Sequence, residues 1–212
     1  VNEPSHVEVE FSSTVMLGEV SVVHRIKHTT FSFSSSYKIQ NISEKELTKA
    51  ACCNLSESFE TNPSVDVTFT DAVTGARKIE MLGLAGPYVQ ITRENMPDVR
   101  GLASIYGLTY TPGPWIEGMQ LNMGAGSVVN GFESITGQIN VELRKPEQSD
   151  KLYAILNGNS AGRMEANLNP SYPIKENWHV GLLLHGNVRP FRLDNNGDGF
   201  RDHATGSQFI AL

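Results

Sequence analysis

The sequence predicts an α+β domain, with a small mixed β-sheet and short helices, followed by antiparallel β-strands of an incomplete transmembrane β-barrel. Three observations lead to this fold class. A glycine-spaced loop separates two strand-like segments between Trp115 and Pro146, helix-start signals occur near Ser43 and Asn54, and the last third of the chain turns into longer strands of alternating polarity. Together they indicate one folded unit up to about residue 145 and an all-β segment after it.

The segment from Trp115 to Pro146 ends in a strand of clear alternation. Ile139, Val141 and Leu143 alternate with polar residues, as in a half-buried strand. The preceding glycines supply backbone freedom where side chains would obstruct tight packing; they are Gly124, Gly126, Gly131 and Gly137. By residue type alone, a glycine-rich turn between two strands of any α+β domain also fits.

This segment closely resembles the end of the plug domain of TonB-dependent outer-membrane receptors, the energised importers of scarce nutrients in bacteria. The residues in register with the family's motif are Ile116, Glu117, Gly124, Ser127, Gly131, Gly137, Ile139, Asn140, Lys145 and Pro146, and Gly126 is added to the signature as part of the same loop. The sequence departs from the motif at Gly118, Ala125, Asn130 and Gln138. These departures indicate an outlying branch, so the resemblance does not carry a substrate class with it.

A second match lies earlier in the chain and in the order that the family shows. Ser43 and Glu46 form a capping box that predicts a helix of about two turns. Asn54 predicts the N-cap of a second short helix, with Glu57 in its first turn. The surrounding residues are similar to the early plug, where a helix precedes a line of the form N-L-x-E-x-L.

Short strands are predicted beyond Pro63, at 65–70, 78–82 and 88–92. Arg93, Glu94 and Asn95 stand where the family has an Asp-Gly turn. The resemblance implies that the Gly- and Pro-rich segment 97–114 is an apical loop that faces an extracellular ligand, although a purely structural loop of that composition is as common.

A short extended run near the N-terminus, residues 17–23, is similar to the TonB box. Its box-like residues are Leu17, Glu19, Val20 and Val22. An unpaired β-branched strand offers free backbone groups to a partner, so the resemblance implies strand addition to the periplasmic TonB protein. The alternative is that this run is simply the first strand of the plug sheet.

The resemblance and the composition changes predict four regions. Residues 1–16 are a remnant of a preceding β-domain, 17–36 the TonB-box-like segment and a linker, 37–145 the plug domain, and 146–212 the start of a β-barrel. In the last region, strands are predicted at 152–158, 163–169 and 178–188. Met164, Ala166 and Leu168 alternate with polar residues, which is the apolar-out, polar-in pattern of a transmembrane barrel. Since a family barrel needs more strands, we expect a plug with the first few barrel strands.

Composition and motifs exclude several function classes. Lys and Arg number 17 against 23 Asp and Glu, for a net charge of −6, so nucleic acid is not expected as a partner. Ser134 is too far from Gly131 and Gly137 for a nucleophile elbow, and the histidines are scattered, so an enzyme is not predicted. The adjacent Cys52 and Cys53 fit small apolar packing residues or, alternatively, a soft-metal site.

The segment 194–202 contains oxygen-bearing residues at the spacing of a calcium-binding loop. Its predicted ligands are Asp194, Asn196, Asp198, the Phe200 carbonyl and Asp202. The twelfth position is Thr205 rather than Glu, so a Ca²⁺ site here would be of modest affinity. A solvated Asx-rich turn between two strands is the alternative.

The sequence therefore predicts the plug and gate portion of a TonB-dependent outer-membrane transporter, with the plug facing the periplasm. Its expected partners are a TonB-type energy-transducing protein, a small nutrient ligand and the outer membrane. The resemblance leaves the nutrient class open among siderophores, haem, cobalamin, metal chelates and oligosaccharides. The alternative is a soluble periplasmic binding or signalling domain without a barrel, which would bury the apolar row Met164, Ala166 and Leu168 in a core.

Overall fold

The computed structural model describes residues 29–32, 38–47, 54–59, 62–70, 76–101, 103, 106–126 and 128–212. The strands in these ranges are β1 (Thr29–Ser32), β2 (Lys38–Ser43), β3 (Asp66–Phe69), β4 (Arg77–Met81), β5 (Leu84–Ala85), β6 (Val89–Arg93), β7 (Met96–Pro97), β8 (Ile116–Met123), β9 (Gly137–Leu143), β10 (Leu152–Gly158), β11 (Met164–Lys175), β12 (Trp178–Gly181), β13 (Leu184–Arg189) and β14 (Gly206–Ala211). Within these ranges, one helical segment, α1, spans Glu44–Leu47, and 3-10 turns span Glu57–Phe59, Gly86–Tyr88, Gly107–Tyr110, Gly113–Trp115 and Val128–Asn130.

The N-terminal unit is built on a six-stranded mixed sheet in the order β1-β2-β8-β9-β6-β7. β6 and β9 pair in parallel, with Ile91 opposite Ile139, while the other neighbours are antiparallel. A small sheet of β3, β4 and β5 lies beside it. The predicted small mixed sheet with short helices is confirmed. The sheet also includes β1, within the segment that the sequence analysis assigned to a linker.

The apolar core lies within this N-terminal unit. Its centre is β9, which is buried along almost its whole length because strands pair with it on both sides. The buried apolar side chains are Ile42, Leu47, Leu55, Phe59, Val65, Ile79, Met81, Val89, Ile91, Val99, Leu108, Trp115, Ile116, Met119, Leu121, Ile139, Val141 and Leu143. The predicted strands at 65–70, 78–82 and 88–92 correspond to β3, β4 and β6.

The C-terminal strands form a second antiparallel sheet, which we call the wall (β10–β14). Its order is β10-β11-β13-β14, and β12 pairs with the far half of β11. β10 has the predicted bounds, whereas the third predicted strand divides into β12 and β13. The division lies opposite Pro170, which has no N–H to donate to Leu182 across the ladder.

Both predicted helix starts are followed by a short helical segment, but only one of the two capping side chains makes its hydrogen bond. Asn54 is confirmed as a cap, because its Oδ1 accepts the backbone N–H of Glu57 at 3.1 Å. α1 begins directly after Ser43, as predicted, but the Ser43 side chain does not cap it: Ser43 is the last residue of β2, opposite Gly118, and its buried Oγ has no hydrogen-bond partner. Pairing with β8 keeps Ser43 in β2, and α1 begins at the next residue. No helix among the described residues is both long enough and apolar enough to cross a membrane.

Candidate functional site: the junction between the mixed sheet and the wall

The wall presents apolar side chains outward and polar side chains toward the N-terminal unit. Leu156 and Phe209 are 79% and 74% exposed, whereas Asn167 and His185 are 0% and 1% exposed. Of the predicted outward row, Met164 and Leu168 are exposed and Ala166 is half-exposed. The buried face of the wall is therefore polar, the reverse of a soluble sheet that packs on a core.

The polar face of the wall carries a continuous hydrogen-bond network. Asn167 Nδ2 donates to Glu165 Oε1 at 2.9 Å. The Asn167 Oδ1 is hydrogen-bonded to His185 Nδ1 at 2.8 Å. Asn187 Nδ2 lies 2.9 Å from His185 Nε2 and donates to Gln208 Oε1 at 3.1 Å. Since the Asn187 amide nitrogen can only donate, His185 accepts at Nε2 and carries its proton on Nδ1. The network thus satisfies most of its buried polar groups, which would otherwise be costly; the Glu165 Oε2 has no hydrogen-bond partner and lies 3.6 Å from Arg163.

Four contacts fix this polar face to the N-terminal unit. Arg163 NH1 donates to Glu57 Oε1 at 3.0 Å, and the Arg144 guanidinium lies 3.9 Å from the centre of the Tyr153 ring. Two wall amides donate to backbone carbonyls: Asn169 Nδ2 to Pro114 at 3.4 Å and Gln208 Nε2 to Thr109 at 3.2 Å. Leu183 and Ile210 of the wall also pack against the apolar core, so the junction combines these polar contacts with a small apolar one.

Glu57 is the charged centre of the junction. Its Oε1 accepts from Asn54 Nδ2 at 3.3 Å and from Arg163, and the Arg77 guanidinium lies 3.7 Å away. Arg163 also lies 3.6 Å from Glu165 on the wall. Sequence reasoning gave Glu57 only a role in the first turn of a helix. The alternation that turns Arg163 inward was visible in the sequence, but its carboxylate partner, 106 positions away, was not.

The signature residues at the end of the N-terminal unit hold the mixed sheet together. Ile116 is fully buried, and the Asn140 Oδ1 accepts from Thr92 Oγ1 at 2.9 Å and from the Asn95 N–H at 2.8 Å. Gly137 permits close packing: a Cβ there would lie 2.6 Å from Met81 Cε and 2.8 Å from the Asn122 carbonyl oxygen. Of the remaining signature residues, Glu117 is half-buried in β8, and Gly124, Gly126 and Gly131 lie in the β8–β9 connection.

A left-handed turn joins β6 to β7 where the family motif has Asp-Gly. Glu94 and Asn95 adopt φ angles of 51° and 62°. Glu94 accepts the Leu143 N–H at 2.8 Å and forms an ion pair with Lys145. Burial alone would raise the pKa of Glu94, but these two contacts outweigh it and lower the pKa from 4.5.

Comparison with known proteins identifies the fold. No protein-family model and no curated protein matches the sequence. Among solved structures, the copper transporter OprC matches with a TM-score of 0.61 at 14% identity, over 88% of this chain and 29% of that one. The pyoverdine outer membrane receptor FpvA from Pseudomonas aeruginosa matches with a TM-score of 0.58 at 16% identity, over 73% of this chain and 22% of that one.

The ferric-catecholate import receptor Fiu from E. coli matches with a TM-score of 0.57 at 19% identity, over 73% of this chain and 22% of that one. The fold is that of a TonB-dependent receptor. The resemblance that the sequence predicted is thus confirmed at the level of the fold. The chain spans less than a third of the length of these receptors.

Two sites that were predicted from the sequence lie outside the described residues. They are the TonB-box-like residues Leu17, Glu19, Val20 and Val22 and the cysteine pair Cys52 and Cys53. Both assignments stay predictions. The same holds for the predicted regions 1–16 and 17–36; within the second, the structure describes only Thr29–Ser32.

The predicted calcium loop forms the long connection between β13 and β14 of this receptor fold. Asp194 accepts the N–H groups of Gly197 at 2.7 Å and Gly199 at 2.9 Å, and Asp198 accepts that of Phe200 at 2.7 Å. These are the bonds of an Asx-rich turn. Within the described residues, no group of three or more His, Cys, Asp and Glu is arranged to hold a metal ion. Calcium binding by Asp194, Asn196, Asp198, Phe200 and Asp202 stays a prediction.

Proposed function

We propose that the chain is the plug and gate portion of a TonB-dependent outer-membrane transporter for energised uptake of a scarce nutrient. The observation that carries this proposal is the polarity of the wall, whose apolar side chains face outward while its polar side chains face the N-terminal unit. A lipid bilayer favours that arrangement. The soluble alternative required Met164 and Leu168 to be buried in a core, and both are exposed.

The polar contacts of the junction suit a gate because they can be exchanged for hydrogen bonds to water. A hydrogen bond within a protein replaces one to water, so its net contribution is only about 0.5–1.5 kcal/mol. Apolar burial has no such substitute in water. The N-terminal unit can accordingly rearrange against the polar face of the wall at moderate cost while its own apolar core keeps the mixed sheet folded.

The energy source in this proposal is a periplasmic TonB-type protein. It would pair by strand addition with residues 17–23, of which Leu17, Glu19, Val20 and Val22 form the box-like set. The nutrient belongs to the classes predicted above: a siderophore, haem, cobalamin, a metal chelate or an oligosaccharide. Three structural neighbours support transport of this kind, being described as a copper transporter, a pyoverdine receptor and a ferric-catecholate import receptor.

A pull-down with the C-terminal domain of TonB tests the energy coupling. Val20→Pro removes a backbone donor from the pairing strand and should abolish capture. Val20→Thr keeps the N–H and the β-branched shape, and it should bind like the parent chain. Equal capture of both variants would remove the TonB box from the proposal.

Tryptophan quenching tests the membrane side. Trp178 is exposed at the start of β12 and Trp115 is buried in the N-terminal unit. In micelles of a brominated maltoside detergent, a variant that keeps only Trp178 should be quenched strongly, and one that keeps only Trp115 weakly. Weak quenching of Trp178 would contradict a lipid-facing wall.

A further inference from the structure

A chain of hydrogen bonds runs from the buried histidine of the wall to the backbone of the N-terminal unit. His185 Nε2 accepts from Asn187 Nδ2 at 2.9 Å, and the same amide nitrogen donates to Gln208 Oε1 at 3.1 Å. Gln208 Nε2 donates in turn to the Thr109 carbonyl oxygen at 3.2 Å, which is one of the four polar contacts of the junction. The protonation state of His185 is therefore connected to a contact between the two units.

Acceptor groups at both ends fix the direction of every bond in this chain. At one end the Thr109 carbonyl can only accept, so the Gln208 amide turns its nitrogen toward it. At the other end the Glu165 carboxylate accepts from Asn167 Nδ2 at 2.9 Å, which turns the Asn167 Oδ1 toward His185 Nδ1, 2.8 Å away. His185 thus donates at Nδ1 and accepts at Nε2, and only the neutral imidazole can do both.

A second proton on the His185 ring is incompatible with this chain. Its Nε2–H would face the Asn187 amide nitrogen, and two donors do not form a hydrogen bond with each other. Rotation of the Asn187 amide would place its Oδ1 toward the ring but also toward Gln208 Oε1, so that the Gln208 amide would have to rotate as well. Its Oε1 would then face the Thr109 carbonyl oxygen, and the hydrogen bond across the junction would be lost.

Charged groups from both units lie around His185. Glu165 Oε1 lies 3.6 Å from His185 Nδ1, and Arg163 lies 3.6 Å from the other oxygen of the same carboxylate. From the N-terminal unit, Glu57 lies 3.0 Å from Arg163, and Arg77 lies 3.7 Å from Glu57. Two positive and two negative charges balance each other in this cluster. Protonation of His185 therefore adds an excess positive charge to the junction.

We propose that His185 is a pH-sensitive switch, whose protonation breaks the hydrogen bond between Gln208 and the Thr109 carbonyl and so loosens the junction between the wall and the N-terminal unit. As the regulation of a gate, this inference rests on the proposed function. Histidine is the side chain that ordinarily changes its charge between about pH 5 and 8. The contact is thus present while His185 is neutral and is lost as the pH falls through its titration.

A single carbonyl signal in an NMR spectrum reports this contact. Thr109 and Tyr110 form the only Thr–Tyr step in the sequence. The full 212-residue chain, labelled with ¹³C at Thr carbonyl carbons and ¹⁵N at Tyr amides, therefore gives one peak in a spectrum that correlates each amide with the preceding carbonyl. A carbonyl carbon changes its chemical shift when its oxygen loses a hydrogen bond. In a non-ionic detergent, we expect the Thr109 signal to shift with the same pH midpoint as the ring signals of His185.

Two variants separate the ring from the contact. His185→Gln cannot gain a charge and should hold the Thr109 signal at its alkaline position at every pH. Gln208→Leu removes the donor and should place the signal near its acidic position at every pH, while the His185 ring still titrates. His179→Gln is the matched control, because His179 is an exposed histidine of β12 in the same wall. It should leave the titration of the Thr109 signal unchanged.

A Thr109 signal that does not move with pH in the parent chain, or that moves equally in His185→Gln, would overturn the switch. So would a Gln208→Leu chain that keeps the alkaline signal, and this variant leaves the buried histidine in place. These measurements involve neither TonB nor transport. The switch can therefore fail while TonB capture succeeds, and it can be present while the TonB pull-down fails.

Discussion

Strands of the mixed sheet and of the wall both alternate polar and apolar residues, but the mixed sheet buries its apolar residues whereas the wall buries mainly polar ones. In the mixed sheet, Ile139 and Val141 of β9 face the apolar core. In the wall, the buried face of β11 carries Glu165, Asn167 and Asn169, while its apolar residues point away from the protein. Strand alternation therefore specifies two faces, and the surroundings of each sheet decide which face is buried.

The mixed sheet and the junction also differ in the kind of contact that stabilises them. Apolar burial in the mixed sheet has no replacement in water, so it favours one packed state. At the junction between the two regions, an ion pair, amide-to-carbonyl bonds and a cation–π contact accompany the packing of only two apolar wall residues, Leu183 and Ile210. The chain thus combines a unit that keeps one packed state with a junction whose polar contacts can be replaced by hydrogen bonds to water.

Matched leucine deletions give the sharpest test of this difference. Leu121→Ala empties a fully buried site in β8 and should lower the free energy of unfolding by about 2–5 kcal/mol. Leu156→Ala removes an exposed side chain of β10 and should change it by less than about 0.5 kcal/mol in detergent. Denaturant titration followed by tryptophan fluorescence measures both. Similar losses at the two positions would remove the distinction between core and wall.

The second prediction concerns the junction ion pair. A double-mutant cycle on Glu57 and Arg163 should give a coupling energy of about 0.5–3 kcal/mol, because both side chains are mostly buried and the pair crosses the boundary. The control is the pair of Lys78 and Glu80, which lies along β4 and is more exposed. It should couple by no more than about 1 kcal/mol. Coupling of Glu57 and Arg163 below that of the control would mean that the junction is not held by charge.

The third prediction concerns the contacts of Glu94 at the β6–β7 turn with the Leu143 N–H and with Lys145. The folded protein lowers the pKa of Glu94 from 4.5, so the unfolded chain binds this proton more readily. The stabilisation is therefore fully present above about pH 4.5 and is lost as the pH falls through the lower folded value. Glu94→Gln should flatten that part of a plot of unfolding free energy against pH, and Glu117→Gln serves as the control. An unchanged slope in the Glu94 variant would mean that these two contacts do not stabilise the folded protein.

The smallest expected effect is calcium binding by the 194–202 loop. Because its carboxylates already accept backbone N–H groups, Ca²⁺ should bind with modest affinity and raise the thermal midpoint only slightly. Asp194→Asn should abolish that shift while keeping an Asx-type acceptor. If Ca²⁺ leaves the midpoint of the parent chain unchanged at millimolar concentration, the loop is an Asx turn alone.

The sequence predicted features that depend on neighbouring residues. β10 has its predicted bounds, Asn54 caps the turn that holds Glu57, and Met164 and Leu168 face outward. Each depends on local spacing, which the sequence displays directly.

Features that depend on distant partners were missed. β1 is an edge strand whose weakly apolar residues gain their order from pairing with β2, and Ser43 is kept in β2 by pairing with β8. The division between β12 and β13 depends on Pro170 of the neighbouring strand. The junction ion pair joins Glu57 and Arg163, which are 106 positions apart, so neither spacing nor alternation could indicate it.

The strand order of the mixed sheet has a consequence for the order of folding. Ile42 pairs with Met119, and Ile91 pairs with Ile139, so the middle of that sheet joins segments far apart in the chain. In the wall, Leu156 pairs with Ala166 across a short turn. Closing a long loop costs more chain entropy than closing a short one, which slows the first step toward such contacts. We therefore expect the β10–β11 hairpin to form early, and the mixed sheet to assemble cooperatively only when β9 inserts between β8 and β6.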